Sequence, residues 1–359
     1  YFLSDFYPRF WLKENYLPLL MTFNLETDTP EGLKTVSQGK RIRETVENGR
    51  RHTLWSSLEP MENIYLSMGS FTEYKKHGSK RKLYAFLRGQ DSKLAKKYLD
   101  ISESYLNFYE NLIGPYPFNK FALVENTKQT GYGMPSFTLL GSRVIRLPFI
   151  LYTSLPHEIL HNWWGNSVYM DPRSGNWTEG LTTYLADHLM LEFKGKGDQY
   201  RFDQLVRYLN YVSSSKDFPL SQFVSRQNMP SQAIGYGKMM MVFHMLRKEV
   251  GEKPFLQGLR KFFKNYKFYF ASLEDLCETF ESVSGKKLKP FFHQWTKRSG
   301  APELELSQTE IIFIENKYKL ILKIQQKTTG PPFTLTLPIG IWNENNKNTK
   351  PGFRLEKVF

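Results

Sequence analysis

The sequence is short of cysteine, of long apolar runs, of repeats and of acidic residues. One cysteine, Cys277, stands in 359 residues. No disulfide can close within the chain, which excludes a disulfide-stapled module and a cysteine-rich zinc finger. No stretch approaches the roughly 20 consecutive apolar residues that cross a bilayer, so no transmembrane segment is expected. No internal repeat or low-complexity tract is present, which excludes solenoids and arrays. Lys and Arg number 49 against 35 Asp and Glu, a net charge of +14. The excess is scattered, and the densest stretch, Lys75 to Arg88, is short and interrupted. No nucleic-acid partner is expected from such a surface. The chain begins at Tyr1 rather than Met, so a fragment or processed form is expected. A lone cysteine leaves a cytoplasmic or an exported location open, and oligomeric state is equally open.

What is present points to an enzyme-sized globular protein. Hydrophobic residues make up 40% and aromatics 16%, enough for a large core. The length predicts two or three domains. Tyr16 to Leu25 and Ile64 to Phe71 read as strands, and residues before about 78 as an incomplete β region. Ser92 to Leu112 has a helical period, with Leu94, Tyr98, Ile101, Tyr105 and Tyr109 on one face, and Gly114-Pro115 ends it. Phe121 to Glu125 and Phe137 to Leu140 read as strands around a Gly-rich turn. Helical patterns run from about Ser154 to Ser299. Leu304 to Leu306, Ile311 to Phe313, Tyr318 to Gln325 and Phe333 to Trp342 alternate like strands, forming a small all-β end.

The segment Leu155 to His161 reads LPHEILH. His157 and His161 stand four apart and share a helix face, so both imidazoles can meet one metal ion. Glu158, beside the first histidine, is placed to act on water rather than on the metal. Pro156 suits a helix start, with Thr153 or Ser154 as cap. A helix with two unrelated histidines is the plain alternative. A catalytic zinc takes three protein ligands, and Glu179, in the first turn of the next helix, is favoured as the third. Asp187 and His188, two turns on, are its competitors; as non-ligands they would sit on an exposed face or orient a liganding histidine.

HEILHNWWGN followed by NWTEGLTTYLADH resembles the zinc helices of aminopeptidase-N-like gluzincin metallopeptidases, the family that includes leukotriene-hydrolase enzymes. The family spaces its last histidine and its glutamate by eighteen residues; seventeen separate His161 from Glu179, a difference that the loop around Tyr169 to Gly175 can absorb. The family's further Glu is replaced by Ala186, with Asp187 next to it. Ile234 to Leu246 resembles the helix whose tyrosine stabilises the oxyanion; Tyr236 matches, and Met239 replaces a glycine. Phe292 to Pro302 resembles the boundary before a C-terminal β unit, and Tyr7-Pro8 the late N-terminal β domain.

The resemblance implies a multidomain α+β protein. Its thermolysin-like, mainly helical catalytic domain would span 79–299, after a remnant β domain at 1–78 and before a C-terminal β-sandwich unit at 300–359. It implies one zinc ion, with cobalt or manganese open by ligand type, held by His157, His161 and Glu179. Glu158 would serve as base and Tyr236 as oxyanion donor in peptide hydrolysis. Gly133 and Met134 would present backbone to a peptide substrate, the bare glycines allowing close approach. The pattern breaks at GYGMPSF: Pro135 and Ser136 stand where the family's amine-binding Glu and its Asn would be. Altered amino-terminus recognition is therefore expected, with Glu125 as stand-in anchor and Arg143 or Arg146 as holders of a carboxylate. An endopeptidase, a non-peptide hydrolase and a non-catalytic peptide-binding scaffold are the competing functions.

Overall fold

The computed structural model describes residues 19–76, 81–327, 330–337 and 339. The Tyr7-Pro8 resemblance lies outside these residues. Contacts divide the chain into two compact units, Tyr1–Ser299 and Gly300–Phe359.

The first unit opens with strands. β1 (Met21–Pro30), β3 (Lys40–Glu47) and β4 (Arg50–Met61) form an antiparallel sheet in the order β1-β4-β3. β2 (Lys34–Ser37) pairs with β5 (Leu66–Gly69). Along β4, Thr53, Trp55 and Ser57 alternate inward, the period of a strand with one face buried. Trp55 packs with Val36, Phe86, Val124 and Phe137 in one core cluster, which joins these strands to the next sheet.

That sheet has five strands in the order β6-β7-β8-β10-β9: β6 (Thr72–Lys76), β7 (Lys82–Leu87), β8 (Lys120–Asn126), β9 (Gly131–Met134) and β10 (Phe137–Gly141). β7, β8 and β10 run parallel. Their near-continuous apolar sequences suit burial on both faces. The boundary expected at 78/79 falls between β6 and β7, which pair antiparallel. The Gly-rich stretch expected as a turn is itself the edge strand β9, antiparallel to β10.

α1 (Ser92–Leu112) has the expected limits, capped by Asp91, whose side chain accepts from Leu94 N. Its buried stripe is Ala95, Tyr98, Leu99, Ser102, Leu106 and Tyr109. The expected face is turned by about one position; Leu94, Ile101 and Tyr105 are half-buried at its margin. The rest of the unit is mainly helical. α2 (Ser154–Leu160) leads through β11 (Val168–Met170) to α3 (Thr178–Thr183), a π-helical turn (Tyr184–His188) and α4 (Leu189–Glu192). α5 (Gly197–Tyr211) and α6 (Met229–Gln232) follow, then a second π turn (Ala233–Lys238) that runs into α7 (Met239–Val250). α8 (Glu252–Tyr266), β12 (Tyr269–Ala271), α9 (Leu273–Ser284) and α10 (Lys289–Lys297) complete it. Among the described residues no helix is long and apolar enough to cross a membrane.

The second unit is simpler than expected. β13 (Leu304–Ile314) and β14 (Lys317–Gln326) form one antiparallel hairpin. Leu306, Ile311, Phe313 and Tyr318 are exposed, so among the described residues the pair is a hairpin rather than a sandwich. The described part of the strand expected at Phe333 to Trp342 is irregular; Phe333 N donates to Gln326 Oε1 instead.

Candidate active site

α2 places His157 one turn before His161, which ends the helix. Trp163 and Trp164 follow and are fully buried, anchoring this end of the helix in the core. Neither expected cap forms: Thr153 stands at the N-cap without a side-chain cap bond, and its hydroxyl donates to Phe149 O. The loop to α3 closes tightly, with Ser174 N donating to Asp171 O. α3 then sets Glu179 opposite α2 despite the short spacing. Glu179 Oε2 lies 3.5 Å from His157 Nε2 and 3.4 Å from His161 Nε2.

Each imidazole is fixed by its far nitrogen. His157 Nδ1 is 2.6 Å from Asp187 Oδ2, and His161 Nδ1 is 3.0 Å from Trp164 O. The acceptors require Nδ1–H donors, and both Nε2 atoms face Glu179. Three electron-pair donors thus converge, their ligand atoms within 4.8 Å of one another. Glu179 Oε2 is buried without a hydrogen-bond partner. Such a cluster calls for shared positive charge, as protons on the imidazoles or as a metal ion. Ligand atoms held tetrahedrally at ~2.0–2.1 Å stand about 3.4 Å apart, which the two spacings match. Two imidazoles and a carboxylate are a donor set suited to zinc.

The electrostatics express the same demand. Burial pushes His157 down, but the Asp187 charge and hydrogen bond outweigh it and raise its pKa well above the usual value. His161 is raised too, the pull of Glu179 exceeding the cost of burial. Glu179 is pushed up by burial and drawn far down by the two imidazoles. Glu158 is raised, chiefly by burial, with both imidazoles pulling the other way. A carboxylate so raised is better matched to proton transfer near neutral pH.

Tyr236 arrives on the second π turn, its ring parallel to His157 at 6.4 Å between centroids. Burial first, then the Glu179 charge, holds its hydroxyl protonated. Asp187 lies in the first π turn. Single π turns recur at functional sites because the extra residue re-aims side chains; nothing in the composition of either segment signals it. Met239 is buried against Gly180 and so acts in packing. His188, the other competitor, is fully buried away from the cluster, with Arg201 Nη1 2.8 Å from its Nε2.

A cleft of about 890 Å³ holds these groups; Gly131 to Met134 of β9 line its other side, with Tyr200, Gln204, Arg207 and Arg226 nearby. The two glycines serve the active site before they serve any ligand. A Cβ at Gly131 would stand 2.8 Å from Glu158 Oε1, and one at Gly133 3.0 Å from Glu158 Oε2. The Met134 side chain belongs to the core cluster. Glu125 does not line the cleft. It is buried, and its carboxylate accepts from Arg88 N (2.8 Å) and Arg146 Nη1 (2.6 Å). The expected amine anchor is thus already neutralised, and by one of the two arginines expected to hold a carboxylate. Arg143 is likewise outside the cleft lining.

Comparisons with known proteins bear on the family. Residues 98–295 match the peptidase family M1 domain. The alanine/arginine aminopeptidase of Saccharomyces cerevisiae is 25% identical over 319 residues, covering 82% of this chain and 37% of the yeast protein. The leucyl aminopeptidase of Saccharolobus solfataricus is 23% identical over 354 residues, covering 92% of this chain and 44% of that protein. This chain therefore spans less than half the length of these relatives. The crystal structure of an M1 zinc metallopeptidase from Deinococcus radiodurans shares the fold, with a TM-score of 0.64 at 18% identity over 79% of this chain and 65% of the other. With more than half of its length matched to the M1 domain, and with the paired histidines and Glu179 brought together inside that span, the chain belongs to peptidase family M1.

Proposed function

We propose that this protein is a zinc-dependent peptidase of aminopeptidase type with altered recognition of the substrate's amino end. One observation carries the reading: His157, His161 and the unpartnered Glu179 Oε2 converge beside Glu158 and Tyr236. His157, His161 and Glu179 would hold the zinc ion, which when bound would supply Lewis acidity toward the scissile carbonyl and water. Asp187 and Trp164 O keep the two imidazoles turned toward that position. Glu158 takes the proton of the attacking water and passes it to the leaving amine. The protonated Tyr236 hydroxyl donates to the developing oxyanion, an interaction worth ~3 kcal/mol of barrier. The peptide pairs along the free edge of β9 as an added strand. In this reading 79–299 is a thermolysin-like catalytic portion, 1–78 belongs to an N-terminal β part and 300–359 to a C-terminal one.

The finer claim rests on charge. The carboxylates lining the cleft are Glu158, Glu179 and Asp187, all engaged with the histidine cluster. None is spare for a substrate ammonium. Arg207 and Arg226 line the same cleft and make no ion pair among the described residues, so the uncommitted charge is positive. Substrates without a free amino terminus, or with acidic groups, suit it better than the family's usual ones.

Zinc analysis paired with a peptide library bearing free and acetylated amino termini tests both levels. About one zinc per chain with cleavage indifferent to acetylation is the expected result. Cleavage confined to free termini would leave the peptidase and remove the altered recognition. Zinc with no cleavage of any peptide would favour the scaffold.

A further inference from the structure

A cation lies buried beneath the substrate-side hairpin, and among the described residues it makes no ion pair. Lys120 opens β8 and is 1% exposed. Its ammonium stands 5.4 Å from the centre of the Trp55 ring and 5.5 Å from that of Phe137. Its hydrogen bonds end on a single residue: Nζ donates to Ser136 Oγ (2.8 Å) and to Ser136 O (3.2 Å). Burial, with like-charge repulsion from Arg41, lowers its pKa to about 7. An unpaired buried lysine is costly, so what its donors hold matters.

They hold an unusual turn. Ser136 has φ +66°, a left-handed conformation that a non-glycine residue keeps only when its surroundings enforce it. Its amide donates to Asn162 Oδ1 (2.8 Å), and its carbonyl also accepts from Ala122 N (3.1 Å). Asn162 follows His161 directly and donates Nδ2 to Ile159 O of α2 (2.8 Å). Asn166 donates to Gly133 O of β9 (3.0 Å). The hairpin is therefore tied to β8 by Lys120 and to the metal-binding segment by two asparagines. The glycine contacts with Glu158 leave little slack between β9 and α2.

We propose that Lys120 is a positioning residue for hydrolysis: by latching the Pro135-Ser136 turn it fixes edge strand β9 against α2, and so fixes where a paired peptide lies relative to Glu158. The turn occupies the place of the family's Glu-Asn pair, so the latch stands where a ligand-binding carboxylate would be. The kinetic part of this inference rests on the peptidase reading; the latch itself does not.

The test uses the zinc-loaded protein with Lys120→Met, Ser136→Ala and a remote core control, Phe280→Leu on α9. Lys120→Met is expected to raise KM for an extended peptide about tenfold or more, with a smaller change in kcat and zinc content unchanged. Ser136→Ala moves KM the same way but less. The control loses thermal stability and keeps its KM. Amide exchange read by mass spectrometry gives a readout independent of turnover. In Lys120→Met, segment 131–140 exchanges at least about tenfold faster while 154–161 keeps its protection. A folded Lys120→Met with unchanged KM and unchanged exchange overturns the proposal, as does a control that reproduces the KM change. If Lys120→Met fails to fold, Ser136→Ala decides by the same two readouts. If the wild type cleaves no peptide, the peptidase reading fails, and the exchange of 131–140 alone decides whether the latch exists.

Discussion

The two walls of the cleft are built in opposite ways. The wall of the histidine cluster comes from residues fairly close in sequence: His157, Glu158 and His161 stand at α2 and its C-terminal end, and Glu179 and Asp187 follow across a connection that contains β11. The facing wall, β9, is held by Lys120, Asn162 and Asn166, which come from β8 and from the segment after α2. The first wall carries the paired histidines and glutamate of the resemblance, with a connection one residue shorter and Ala186 where a further glutamate is expected. The second departs from the resemblance at Pro135 and Ser136, yet its glycines still fit against Glu158. The difference teaches that side chains carried on two neighbouring helical segments can be brought together by those segments alone. A strand packed so closely on Glu158 that a Cβ on either glycine would crowd its carboxylate is held by ties from distant segments instead.

The contrast can be broken most forcefully on the wall of the histidine cluster. His161→Ala should lose zinc, read by elemental analysis, and with it all hydrolysis; stoichiometric zinc in that variant would mean a different ligand set. Glu158→Gln should keep zinc and lose ~10²- to 10⁴-fold in turnover, and near-normal turnover would remove Glu158 as base. Tyr236→Phe should cost ~10²- to 10³-fold in kcat with little change in KM; a pure KM effect would make Tyr236 a binding residue. Asp187→Asn leaves the ligands intact and should weaken zinc affinity ~10- to 100-fold, measured by chelator competition. An unchanged affinity would show that His157 needs no carboxylate behind it.

The facing wall gives the smallest effect, and it appears in stability. The Lys120 amine has an ordinary pKa of 10.5; burial and repulsion from Arg41 of β3, only partly offset by Glu59 of β4, lower it to about 7 in the fold. Between those values the unfolded chain binds the proton and the folded chain does not, so this group makes stability rise with pH from about 7 toward 10.5. Melting of wild type against Lys120→Met at pH 7 and pH 9 should show the wild type gaining ~2–4 °C on the variant. A pH-independent difference would place the amine in a more polar setting.

Much of this was legible from local pattern. Period four put two imidazoles on one face, and apolar period set the limits of α1. The stripe of α1 was read about one position off because Ala95 and Ser102, small residues with weak hydropathy, are its buried centre. Among the described residues the expected β-sandwich is a single hairpin, because alternation shows that a strand has two faces and not that a second layer covers one. Glu125 looked available because an isolated carboxylate on a strand carries no sign of its partner; Arg146, twenty-one positions away, takes it.

By itself the sequence pointed to the family and to the side chains that converge in the cleft, His157, His161 and Glu179 with Glu158 beside them, because their placement follows from helix geometry over a few residues. Tertiary structure alone decided the rest. Which carboxylate orients His157, which way the π turns aim Asp187 and Tyr236, and what holds Ser136 in a left-handed turn all depend on contacts between distant segments. Hydrogen bonds and close packing act through space, and no spacing along the chain encodes them.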